Sequence, residues 1–156
     1  MTTRILALVG GFALCVLLAC GDPVSAQPPN NGHVTWGAGP PPYPQVFDPV
    51  GAPMPKKGGV NVYGTYAPPI GWQVGPGKCS VAPKAGGVTT EYPIDRTQGA
   101  FGFYHAGTNS VLPARIELDP GEYNVWVTIT FSYTDPIKGI PQSVPVSTAI
   151  VGVKVK

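Results

Sequence analysis

Three cysteines, two histidines and a thin scatter of acids are the residues of this chain that could carry covalent or metal chemistry, and their spacing leaves little room for it. A mononuclear copper site needs a Cys, a His and a Met closely grouped towards the C-terminus with a second His upstream. Here Cys79 and His105 stand far apart, Met54 precedes both, and the other histidine, His33, lies in a proline-rich stretch. The acids beyond the first turns of the chain are Asp48, Glu91, Asp95, Glu117, Asp119, Glu122 and Asp135. Glycosidase chemistry requires two carboxylates facing across a cleft, and calcium requires several oxygens from one loop. Only Asp119 and Glu122 share a turn, and these read as solvated turn acids; Asp95-Arg96 reads as a loop ion pair. No serine sits in a Gly-x-Ser-x-Gly setting and no glycine-rich phosphate loop precedes a helix. The residues therefore predict a protein that is not an enzyme, with no catalytic residue, no metal and no cofactor.

The remaining chemistry lies at the N-terminus. Arg4 precedes an uncharged apolar run from Ile5 to Ala19, which ends in Gly21, Asp22 and Pro23 without a basic cluster. Fifteen residues fall short of the roughly 20 that span a bilayer, so residues 1–26 read as an export signal. Two cleavage signals follow. Leu17-Leu18-Ala19-Cys20 resembles the lipobox of bacterial lipoproteins, and the resemblance implies acylation of Cys20 as the first mature residue. Val24-Ser25-Ala26 before Gln27 fits ordinary signal-peptidase cleavage equally well. The first route predicts an outer-membrane or cell-surface lipoprotein held to the membrane by its acyl chains. The second predicts a periplasmic or secreted protein. By either route Cys79 is left as the sole free thiol, so no intramolecular disulfide forms; with Val81 on the same side of a period-2 strand, it is expected to be buried.

Charge is sparse, with 10 Lys+Arg against 8 Asp+Glu, and gives no nucleic-acid footprint. Ten prolines lie between Gly21 and Pro55. Proline removes a backbone donor and fixes φ, so residues 27–58 read as a disordered Pro/Gly-rich tether able to span on the order of 100 Å when extended. Trp36 and Phe47 within it are alternatively placed as packing back on the domain.

Residues 59–156 change to short alternating runs of β-branched and aromatic residues parted by Gly/Pro turns, the pattern of an all-β antiparallel sandwich. Seven strands are expected, near residues 60–66, 73–82, 88–94, 101–105, 114–118, 123–133 and 144–155. In the sixth, Tyr123, Val125, Val127, Ile129, Phe131 and Tyr133 share one face and Trp126 stands on the other. Asp119-Pro120-Gly121-Glu122 reads as a type II turn, with Pro120 at i+1 and a positive φ at Gly121. Pro145 points to an edge position in the last run.

The segment Leu118-Asp119-Pro120-Gly121-Glu122-Tyr123-Asn124-Val125-Trp126-Val127 resembles the L-x-P-G-x-Y-x-V-x-V signature of immunoglobulin-like and fibronectin type III-like domains. The resemblance implies a single immunoglobulin-like sandwich with Leu118, Pro120, Gly121 and Tyr123 as its tyrosine corner, the hydroxyl bonding back to the preceding loop. The inter-sheet cysteine pair of antibody domains is missing. Such a fold leaves function open. The expectation is a non-catalytic interaction or structural module of the cell envelope, with an envelope protein or glycan as partner. The alternative is a small carbohydrate-binding protein that stacks sugars on Trp126 and Tyr104, with Trp72 closing one end of the core.

Overall fold

The computed structural model describes residues 32–49 and 57–156; the expected export signal, both expected cleavage sites and Cys20 lie outside the described residues. Twelve strands follow in order: β1 His33–Trp36, β2 Gln45–Phe47, β3 Gly59–Val62, β4 Gly64–Ala67, β5 Gln73–Pro83, β6 Thr90–Thr97, β7 Ala100–His105, β8 Ser110–Leu112, β9 Ala114–Glu117, β10 Gly121–Thr134, β11 Pro141–Ser147 and β12 Val151–Val155. Every pairing is antiparallel and no helix occurs among the described residues. The fold is all-β and sandwich-like. A large sheet runs β1-β4-β7-β6-β5-β10-β11, with β12 also on β10 and β8 on β7, and a small sheet runs β2-β3-β9.

The alternation read in the sequence sets the core. Val125, Val127, Ile129 and Phe131 of β10 are buried, together with Cys79 and Val81 of β5, and they meet Val60, Val62 and Ile116 from the small sheet. Phe101 lies fully buried in the same cluster.

The expected tether is corrected in part. Residues 33–36 and 45–47 are strands of the domain: Val34 pairs with Tyr66, and Val46 pairs with Val60. Trp36 sets its ring edge-on to Phe101, centroids 6.0 Å apart, and donates from Nε1 to the Ala149 carbonyl at 2.8 Å. Phe47 lies 3.8 Å beneath the Arg115 guanidinium. The prolines of this stretch flank these short strands without entering them, which is where a residue lacking an N–H can stand.

Seven expected strands become twelve partly because two runs break. The run over 60–66 divides at Tyr63, where the chain crosses from the small sheet to the large one. The last run divides after Ser147, where Thr148 replaces the ladder: its N–H donates to the Val127 carbonyl at 2.9 Å and its Oγ1 accepts from the Val127 N–H at 3.0 Å. Pro145 falls in β11, the outermost strand beyond β10. Gly121 departs from the expected type II turn. It opens β10 opposite Val155 and is absent from the residues with positive φ. A Cβ there would stand 3.2 Å from the Tyr123 hydroxyl, so the glycine makes room for that ring.

Candidate functional site

Among the described residues the small sheet ends at β9, and the Thr90–Ile94 half of β6 pairs only with β5 on its other side. The flank between these two strands is the open side of the sandwich. Two grooves lie along it and meet at Tyr92. One, of about 370 Å³, is lined by Tyr92, Ile94, Phe103, Ala114 and Ile116, with Asp95 and Arg115 at its rim. The other, of about 330 Å³, is lined by Val81, Thr90, Leu118 and Tyr123, with Lys57, Glu117 and Asp119 at its rim. The first groove is thus mainly apolar and the second mainly polar, with charges of both signs along them.

Tyr123 closes one end of this flank. Its Oη donates to the Asp119 carbonyl at 2.9 Å, and Leu118 beside it is buried, its N–H donating to the Gly58 carbonyl at 2.9 Å. Both turn acids have cationic partners. Asp119 accepts from Lys57 at 2.8 Å, and this hydrogen bond and charge hold the Lys57 ammonium above its usual range. Glu122 lies 3.8 Å from Lys84 and 3.7 Å from Lys154. Phe103, 52% exposed, and Leu112, 43% exposed, face each other across the β7–β8 pair and extend the apolar lining outwards.

Trp126 and Tyr104, the two candidate stacking residues, are not brought together. Trp126 is half-buried opposite the buried Ser80, and Tyr104 stands on β7, three strand spacings or about 14 Å across the sheet. Between them lies the Lys78–Glu91 ion pair at 2.6 Å. Tyr104 spends its hydroxyl on Asn109 Oδ1 at 2.7 Å, bracing the β7–β8 turn. Trp72 stacks on Tyr133, centroids 5.7 Å apart and planes 24° apart, against the core.

Asp95 and Arg96 do not form the expected ion pair: as neighbours on β6 they point to opposite sides, and Asp95 Oδ2 instead accepts from the Tyr104 N–H at 2.9 Å. Cys79 is a buried free thiol, and burial pushes its pKa up to about 12, so it stays protonated at neutral pH. At the β10–β11 turn, Asp135 Oδ1 accepts from the N–H groups of Ile137 (2.8 Å) and Lys138 (3.1 Å), which hold its carboxyl below the usual range. Among the described residues no three His, Cys, Asp or Glu side chains group closely enough to hold a metal ion.

Sequence reasoning missed the flank because it depends on which strands lack a neighbour, and that is set by topology. The isolated apolar residues Phe103 and Leu112 carried the only local signal. No protein-family model matches this chain, and no curated protein or solved structure matches it either.

Proposed function

We propose that the chain is an exported, non-catalytic interaction module of the cell envelope, in which an immunoglobulin-like domain receives an extended segment of a partner protein along the flank between β6 and β9. The observation that carries this reading is the open flank: two strand edges with no strand neighbour among the described residues, beside a floor of Tyr92, Ile94, Phe103 and Ile116. Unpaired edges offer main-chain donors and acceptors, and an apolar floor takes alternate side chains of an added strand. The immunoglobulin-like assignment is supported by β2-β3-β9 standing apart from β6-β5-β10-β11 and by the bond from Tyr123 to Asp119. Acylation of Cys20 would hold the module at a membrane, and cleavage after Ala26 would release it.

The test is photo-crosslinking in the native envelope from a benzophenone amino acid placed at Phe103, with the same group at Thr128 on the outer face as control. A discrete protein adduct at 103 and none at 128 supports the reading. Absence of an adduct at 103, together with glycan binding abolished by Trp126→Ala, would replace it with the carbohydrate-binding alternative.

A further inference from the structure

The two ends of the sandwich differ in chemistry. β10 is 14 residues long, so its ends stand about 45 Å apart. At its start, Gly121 and Glu122 lie beside the β5–β6 turn at Lys84, which carries one exposed aliphatic side chain, Val88, and the acids there pair with Lys57, Lys84 and Lys154. At its far end, the β4–β5 loop and the β10–β11 turn project together, since Ser132 pairs with Gln73 and Trp72 stacks on Tyr133. Each projects a bare aliphatic side chain: Ile70 is 89% exposed, Ile137 is 92% exposed, and Ile140 beside it is 54% exposed. The neighbouring charges are Lys138 and Asp135, and the carboxylate of Asp135 is turned back onto backbone amides.

Residue 32, the first described residue, lies at this same end. A Cβ on Gly32 would stand 2.7 Å from the Phe131 ring and 2.8 Å from the Pro69 ring, so residue 32 is packed against the β4–β5 loop and the last buried residue of β10. About a dozen residues separate it from Cys20, a reach of at most ~40 Å when extended and ~20 Å on average for a flexible chain.

We infer that this pole docks on the bilayer, with Ile70, Ile137 and Ile140 entering the headgroup–acyl boundary and Lys138 among the phosphates. The inference rests on the reading that Cys20 is acylated. Three isoleucines bind a bilayer weakly by themselves, but a short anchored link raises their effective concentration at the surface, so their contribution is orientation. Trp72 and Tyr133, each with an apolar body and a polar edge, then sit at the level where such rings are favoured. Docking this pole turns the β5–β6 turn outwards and leaves the β6–β9 flank standing along the membrane normal, open to a partner from the side.

The experiment uses mature protein extracted from membranes and reconstituted in phosphatidylcholine vesicles with brominated acyl chains. An environment-sensitive label is placed on Lys138→Cys, and on Ala85→Cys at the opposite pole as control. Intact mass of the same preparation reads the state of Cys20. An acylated chain whose label at 138 is quenched about twofold more than that at 85, with the difference abolished by Ile70→Asn and Ile137→Asn together, supports docking. An acylated chain with equal quenching at both positions overturns docking and leaves the anchor reading standing. A chain that begins at Gln27 and leaves the vesicles overturns both.

Discussion

Replacing Trp36 with alanine separates a domain that begins at residue 33 from one that begins at residue 59. Were residues 33–36 part of a solvated tether, the substitution would change stability by no more than about 0.5 kcal/mol, as for other exposed sites. The structure assigns the side chain two attachments, the edge-on contact with Phe101 and the bond from Nε1 to the Ala149 carbonyl. A tryptophan buries up to about 250 Å², and half of that at about 25 cal/mol per Å² is about 3 kcal/mol. The hydrogen bond adds about 1 kcal/mol. Trp36→Ala should therefore cost about 3–4 kcal/mol, a fall in Tm on the order of 10 °C for a domain of this size. Trp36→Phe keeps part of the ring contact and loses the bond, so it should cost about 1–2 kcal/mol. Urea unfolding followed by circular dichroism, with unchanged m-value, measures both. A Trp36→Ala variant within 0.5 kcal/mol of the parent would refute the placement of β1 in the sheet.

Three further outcomes follow from single contacts. Tyr123→Phe should lose about 1 kcal/mol by chemical denaturation, the usual net worth of one hydrogen bond, and no more than that because the ring packing is kept. Gly59→Ala places a methyl group against the Ile116 carbonyl on β9 and the Phe47 ring, so it should cost more than about 2 kcal/mol or prevent folding; a neutral effect in thermal melts would contradict the β3–β9 register. Cys79 should resist alkylation in the native protein and react on unfolding. Its thiol ionises near 9 when exposed and near 12 when buried, so between these values the unfolded chain loses the proton first. Stability should then fall as pH rises, by about 1.4 kcal/mol per pH unit from this group, and a Cys79→Ala variant should lack that slope.

The alternation of Val125, Val127, Ile129 and Phe131 was legible because a strand's side chains change face at every residue, whatever the partners are. The burial of Cys79 followed from the same rule. The strands at 33–36 and 45–47 were hidden by the prolines around them: four-residue and three-residue runs form only because β3 and β4 are already there to receive their hydrogen bonds. The turn at Gly121 was misread for a related reason, since Pro-Gly favours a positive φ locally and pairing with Val155 overrides it.

The candidate site divides along the same line. Trp126 and Tyr104 were visible as aromatics on strands, yet register places them three strands apart with an ion pair between. Beyond the isolated apolar residues Phe103 and Leu112, the flank between β6 and β9 had no sequence signature, nor had the apolar pole at Ile70 and Ile137, because each is assembled from segments distant in the chain. By itself the sequence determined the strand-forming periodicity and the burial of Cys79 that follows from it, both of which depend on residue type and near neighbours. Which edges remain unpaired among the described residues and which loops meet at one end were decided by tertiary structure, since each depends on how distant strands order themselves around one core.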